Sequence, residues 1–218
     1  MTTQDHDHRR GHEEAHVHTE REFQPDEEPT AQALRATAIE TLLIEHGVVT
    51  REEVTRVVVQ TQKQSPEAGS RVVARAWRDA DYRARLFADA KAAIIELGED
   101  IPIEAPELYA VENTAKRRNV IVCTLCSCYP WSVLGLPPVW YKAAPYRARA
   151  VSEPRAVLKE FGVEIRDDVE VRVWDSTAEL RYMVLPERPA GTEGLGEDEL
   201  AALVTRDSMI GVALVEGA

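Results

Sequence analysis

Cys123, Cys126 and Cys128 fall within six residues, Cys123-Thr124-Leu125-Cys126-Ser127-Cys128, and the 218-residue chain has no other cysteine. Thiolate sulfur ligates transition metals and prefers them to hard cations. Three thiolates at this spacing repel one another unless a cation sits among them. A disulfide is a poorer outcome, because one cysteine would be left over and the short loop strains the bridge. We read the segment as a metal site in preference to a reduced structural cluster. Whatever fold the chain adopts has to hold these sulfurs against one another.

The donor count narrows the metal. A structural zinc site takes four side-chain ligands, typically from separated pairs. The histidines (His6, His8, His12, His16, His18 and His46) all lie far upstream of the cysteines. A fold could bring His46 back, but nothing in the spacing asks for it. An iron–sulfur cluster meets the same shortage of a fourth thiolate. The backbone remains as a donor. The peptide nitrogens of Ser127 and Cys128 fall between two sulfurs, and a strongly Lewis-acidic trivalent ion could deprotonate and bind them. That set leaves one position open, and an open position on a metal is where water or substrate is activated. The site reads as catalytic.

The stretch Val122-Cys123-Thr124-Leu125-Cys126-Ser127-Cys128-Tyr129-Pro130-Trp131 resembles the metal-binding claw of nitrile hydratase alpha subunits. The likeness runs on through Val133-Leu134-Gly135-Leu136-Pro137-Pro138, Trp140-Tyr141-Lys142, Tyr146-Arg147-Ala148-Arg149 and Glu153-Pro154-Arg155. It continues at Val173-Trp174-Asp175, Leu185-Pro186-Glu187-Arg188-Pro189 and Gly191-Thr192-Glu193-Gly194, and ends at Thr205-Arg206-Asp207-Ser208-Met209-Ile210-Gly211. Residues 34–214 are covered. Thr124 and Tyr129 are similar to the cobalt branch; the iron branch tends to carry Ser and Thr there.

The resemblance implies roles. Cys123 would be an unmodified axial thiolate, Cys126 a sulfinic acid and Cys128 a sulfenic acid, both steps on the cysteine oxidation ladder. Ser127 and Cys128 would give deprotonated backbone nitrogens. The metal would be one low-spin Co(III) per alpha subunit, in preference to Fe(III). Arginines of a beta subunit would bond the anionic sulfur oxygens. The site would then be complete only in an alpha–beta heterodimer or its heterotetramer, with a cobalt activator protein as a further partner. Catalysis falls to Cys126, Ser127 and Cys128, and Trp131, three residues beyond Cys128, is a candidate wall of the substrate pocket, as are Trp140 and Tyr141.

The implied reaction is that of a hydro-lyase, hydration of a nitrile to its amide. The open position would activate the nitrile or water, or the Cys128 sulfenate would attack the nitrile carbon. No Ser-His-Asp or Cys-Lys-Glu arrangement points to a metal-free nitrilase. The gamma subunit of thiocyanate hydrolase carries the same claw and converts thiocyanate to carbonyl sulfide and ammonia; Tyr129-Pro130 and the chain length lean toward nitriles. A metal-storage or metallochaperone module is the alternative of another class. The chain departs from the family pattern at Arg117-Arg118-Asn119, where His is usual before that Asn, and at Ser132, where Pro is common. The segment 100–107, which includes Glu104, lacks the expected Gly and Gln. None of these positions is a metal donor; they bear on substrate preference.

The remaining sequence is consistent with such an enzyme. A net charge of −12 leaves no basic stripe for nucleic acid. The Lys116-Arg117-Arg118 cluster reads as a solvated turn or a partner contact. No apolar run approaches the roughly 20 residues that cross a bilayer, and the polar N-terminus lacks a secretory signal, so no membrane role and a cytoplasmic location are expected. Residues 1–28 are dominated by His, Asp and Glu and cannot bury enough surface to order themselves. They read as a disordered solubilising tail, with cobalt capture by the histidines as the alternative.

The expected fold class is α+β. A helical arm over 29–64 contacts the partner, and a layered α/β/β/α domain over 65–218 carries the claw. Helices are predicted along Leu34–Leu43 up to Gly47, from the Thr50 capping box through Val54 and Val58, and from Ser65-Pro66 through Trp77. Further helices are predicted from Asp81 to Gly98, over Ala156–Phe161 and over Glu197–Val204. Strands are predicted at Leu108–Val111, Val120–Cys123, Val169–Trp174 and Leu180–Leu185.

Overall fold

The computed structural model describes residues 31–62, 64–102 and 105–217; the tail over 1–28 and Glu104 lie outside the described residues. The chain divides into two compact units, one ending at Val54 and the other beginning at Thr55. The first holds helix α1 (Ala31–Glu45) and the start of α2 (Arg51–Gln62). Gly47 closes α1 in the left-handed region at φ +67°, a conformation that suits glycine. Thr50 opens α2 with the expected reciprocal cap. The Glu53 N–H donates to Thr50 Oγ1 at 3.2 Å, and the Thr50 N–H donates to Glu53 Oε2 at 2.7 Å. No residue of α1 is buried, and Leu34, Ile39 and Leu42 are exposed.

The second unit continues with α3 (Glu67–Arg78), α4 (Ala80–Ala88), α5 (Ala90–Glu96), strands β1 (Glu107–Glu112) and β2 (Arg117–Val122), and the short helices α6 (Trp131–Leu134) and α7 (Val139–Lys142). It closes with α8 (Ala144–Ser152), α9 (Pro154–Glu160), strands β3 (Glu170–Asp175) and β4 (Leu180–Leu185), α10 (Glu197–Leu203) and α11 (Arg206–Ile210). The single helix predicted from Asp81 to Gly98 is in fact two. Asp89 adopts an extended backbone (φ −152°, ψ 96°) and its carboxylate accepts the Ala92 N–H at 2.9 Å. A short side chain that caps a new helix outcompetes continuation of the old one. Strand β2 starts earlier than predicted, at Arg117, so Arg117 and Arg118 belong to a strand and not to a turn.

Both strand pairs are parallel, and each joins segments more than fifty residues apart in the chain. β1 pairs with β4 (Glu107 opposite Leu180) and β2 pairs with β3 (Arg117 opposite Glu170). α4, α5 and α11 pack on the β1–β4 sheet, α8 and α9 on the β2–β3 sheet, and the two sheets meet between them, which is the expected α/β/β/α layering. Covered on both faces, β2 carries a run of wholly buried residues, Val120, Ile121 and Val122. Each such side chain contributes about 1.5–3 kcal/mol of burial free energy. Asn119 is buried between the sheets and satisfied there. Its N–H donates to Asn113 Oδ1 (2.7 Å), its Nδ2 to the Glu112 carbonyl (2.6 Å), and its Oδ1 accepts from Trp174 Nε1 (2.9 Å).

Candidate metal centre

Strand β2 delivers Cys123 to the site. Its side chain is buried, Cys126 is exposed and Cys128 lies between these extremes. The sulfurs converge: Cys123 Sγ is 3.4 Å from Cys126 Sγ, which is 3.2 Å from Cys128 Sγ, and all three lie within 4.8 Å of one another. The Cys126 N–H donates to Cys123 Sγ at 3.3 Å. The N–H groups of Ser127 and Cys128 lie beside the Cys126 sulfur and help to lower its pKa. These donors fit a thiophilic metal that also binds amide nitrogen.

The rest of the protein holds this loop by its backbone. The register sets Asp175 opposite Val122, one residue before Cys123. From there its carboxylate accepts the Thr124 N–H (2.9 Å) and the Thr124 hydroxyl (2.6 Å). Tyr141, fully buried, donates its hydroxyl to the Cys128 carbonyl at 2.9 Å and packs edge-on against Tyr129 at 4.9 Å between ring centres. Replacing Asp175 by alanine removes both Thr124 bonds, and the chemical-denaturation midpoint should report a loss of about 1–2 kcal/mol. An unchanged midpoint would rule out the clamp.

A cleft of about 310 Å³ lies over Cys126, Ser127 and Cys128 and is walled by Tyr129, Trp131, Leu136, Pro137 and Arg181. Trp131 therefore stands beside the cysteines. Trp140 points elsewhere, edge-on to Tyr146 (4.8 Å) and Phe161 (4.7 Å). The three thiols differ electrostatically. The Cys128 thiol, the Cys123 thiol and the Ser127 N–H all bond the Cys126 sulfur and bring its pKa down to about 7. Burial, then the bond to Cys126, pushes Cys128 up to about 12. A lowered pKa means that thiolate accumulates as pH rises through that value. In the metal-free chain, iodoacetamide should therefore modify Cys126 first, with a rate that climbs through pH 7, as peptide mapping would show. Equal labelling of Cys126 and Cys128 at pH 8 would contradict this ordering.

Residues 30–213 match the family model described as nitrile hydratase, alpha chain. The chain belongs to that family. It is 55% identical over 181 residues to the high-molecular weight cobalt-containing nitrile hydratase subunit alpha of Rhodococcus rhodochrous, covering 82% of this chain and 89% of that one. It is 40% identical over 189 residues to the thiocyanate hydrolase subunit gamma of Thiobacillus thioparus, covering 81% and 77%. Among solved structures, a double mutant of the Fe-type nitrile hydratase from Comamonas testosteroni Ni1 superposes with a TM-score of 0.80 at 41% identity, covering 85% and 91%.

Within this nitrile hydratase alpha-chain fold, sequence reasoning had located the cysteines and Trp131 but gave no role to Asp175 or Arg181. Asp175 ends β3 and Arg181 lies in β4, both some fifty residues beyond the claw, and only the pairing of these strands with β2 and β1 brings them back. No described helix is long and apolar enough to cross a membrane.

Proposed function

We propose that this chain is the alpha subunit of a cobalt nitrile hydratase, hydrating a nitrile to the corresponding amide. The observation that carries the proposal is the convergence of three cysteine sulfurs on a loop fixed to a buried strand. Cobalt is favoured by Thr124 and Tyr129 and by the cobalt-containing Rhodococcus relative. Cys123, Cys126, Ser127 and Cys128 hold the metal, which when bound supplies the Lewis acidity that activates nitrile or water. Cys123 anchors the group from the interior, while Cys126 and Cys128 face the cleft and carry the sulfinic and sulfenic oxygens. Trp131 walls the side on which substrate sits. The exposed apolar residues of α1 support an arm that docks on a beta subunit, whose arginines bond the sulfur oxygens. A heterodimer or heterotetramer in the cytoplasm, loaded through an activator protein, completes the reading.

The similarity to a thiocyanate hydrolase gamma subunit favours a second reading, thiocyanate as substrate. Coexpression with a nitrile hydratase beta chain and cobalt, followed by parallel assays of acrylonitrile and thiocyanate, separates the two. The expected result is acrylamide formation, with claw peptides heavier by the added oxygens. Thiocyanate turnover alone moves the chain to the gamma reading. Reduced cysteines holding an exchangeable divalent metal, with no need of a partner, point to metal storage.

A further inference from the structure

A second cavity, of about 190 Å³, adjoins the cleft over the cysteines, and Tyr129, Trp131 and Arg181 line both. Among the described residues its other walls are mostly apolar, Ile101, Leu108 and Pro130 among them, with Ser132 and the side chain of Lys91 as the polar members. Lys91 comes from the first turn of α5. Its ammonium donates to the Ala105 carbonyl at 2.9 Å and lies 4.0 Å from Glu107 Oε1, whose own side chain is 69% exposed. An ammonium has three donors, and one carbonyl with a distant, solvated carboxylate leaves capacity unused. Arg181 comes from β4. Its Nη1 donates to the Leu180 carbonyl at 3.2 Å, but its buried Nε has no hydrogen-bond partner among the described residues. The Tyr129 hydroxyl, on a side chain only 2% exposed, also lacks one.

Two incompletely partnered cations at a largely apolar cavity are costly unless something accepts from them, because a buried unpaired donor costs about 1–3 kcal/mol. We propose that the cavity takes the anionic tail of the substrate, so that the favoured substrates are short aliphatic nitriles bearing a carboxylate. The Arg181 guanidinium and the Lys91 ammonium receive the carboxylate. Apolar walls suit the intervening methylenes, and the small volume limits the tail to a few heavy atoms. A neutral alkyl tail would leave the same donors unpaired, which is the strongest basis a pocket has for rejecting an analogue. This inference rests on the nitrile hydratase reading above.

The test uses the cobalt-loaded complex with its beta subunit, comparing cyanopropanoate with butyronitrile. The wild-type complex should prefer cyanopropanoate. In Lys91→Met the kcat/KM ratio of the two should fall on the order of tenfold through KM, while Lys91→Arg keeps it. A readout that needs no turnover is calorimetric binding of succinamate, the amide product, to the cobalt-free complex; Lys91→Met should weaken it by a similar factor. Butyronitrile hydrated as well as cyanopropanoate, or a ratio unmoved in Lys91→Met, overturns the anionic-tail assignment and leaves the nitrile reading standing. Turnover of thiocyanate with neither nitrile hydrated overturns both.

Discussion

Replacing Cys123 by serine is expected to reduce cobalt in the purified complex to background and to abolish nitrile hydration. Cys123 is the one thiol of the three that is buried, at 1% exposure, and it directly follows strand β2. Its sulfur receives the Cys126 N–H and lies 3.4 Å from the Cys126 sulfur, so it is the fixed point around which the loop closes. A hydroxyl does not ionise near neutral pH and is a hard donor, whereas the proposed site needs a soft anionic one. The side chains are close in size, so the fold should survive with a change of no more than about 1–2 kcal/mol. Elemental analysis of cobalt, paired with circular dichroism of the variant, separates lost ligation from lost structure. Retained cobalt with full activity would refute the assignment of Cys123.

Gly211→Ala is expected to be the most damaging single change outside the claw. Gly211 ends α11 at φ +97°, in the left-handed region. A Cβ there would sit 2.0 Å from the Asn119 carbonyl oxygen, 2.9 Å from its carbon and 3.1 Å from Val120 Cα. These are backbone atoms of β2, tied down through Asn119 to Asn113, Glu112 and Trp174, and cannot give way as a flexible side-chain tip would. Relief requires moving the strand that carries Cys123. The loss should reach about 3 kcal/mol or more, with poor recovery of folded protein. Gly191→Ala is the control, because Gly191 has φ +81° but nothing within 4 Å of the added Cβ. Its cost should stay near 1 kcal/mol. Equal thermal shifts for the two variants would show that the left-handed backbone, and not the approach of α11 to β2, sets the effect.

Much of this was legible in the chain itself. The Thr50 cap, the stop at Gly47 and the strand at Leu180–Leu185 follow from local chemistry, because caps, glycine stops and apolar runs act over a few residues. The break at Asp89 was missed although its signal was present, an Asp ahead of a helix-forming run, because the apolar spacing continues unbroken across it. The short helices α6, α7 and α11 were missed for another reason. At four or five residues they show no periodicity, and packing around Tyr141 and Met209 holds them in place.

The sequence by itself located the candidate metal donors. Cys123, Cys126 and Cys128 lie within six residues, so a single loop can gather their sulfurs, and the Ser127 and Cys128 amides fall between Cys126 and Cys128 in the chain. Only the tertiary structure decided what surrounds them. Parallel pairing of β2 with β3 and of β1 with β4 joins segments more than fifty residues apart, and that pairing sets Asp175 against Thr124 and Arg181 against the cleft. Local propensity carries no information about such pairings, since they are chosen by burial of whole strand faces. The candidate donors are therefore a property of six consecutive residues, and the shape and charge of the space beside them a property of the fold.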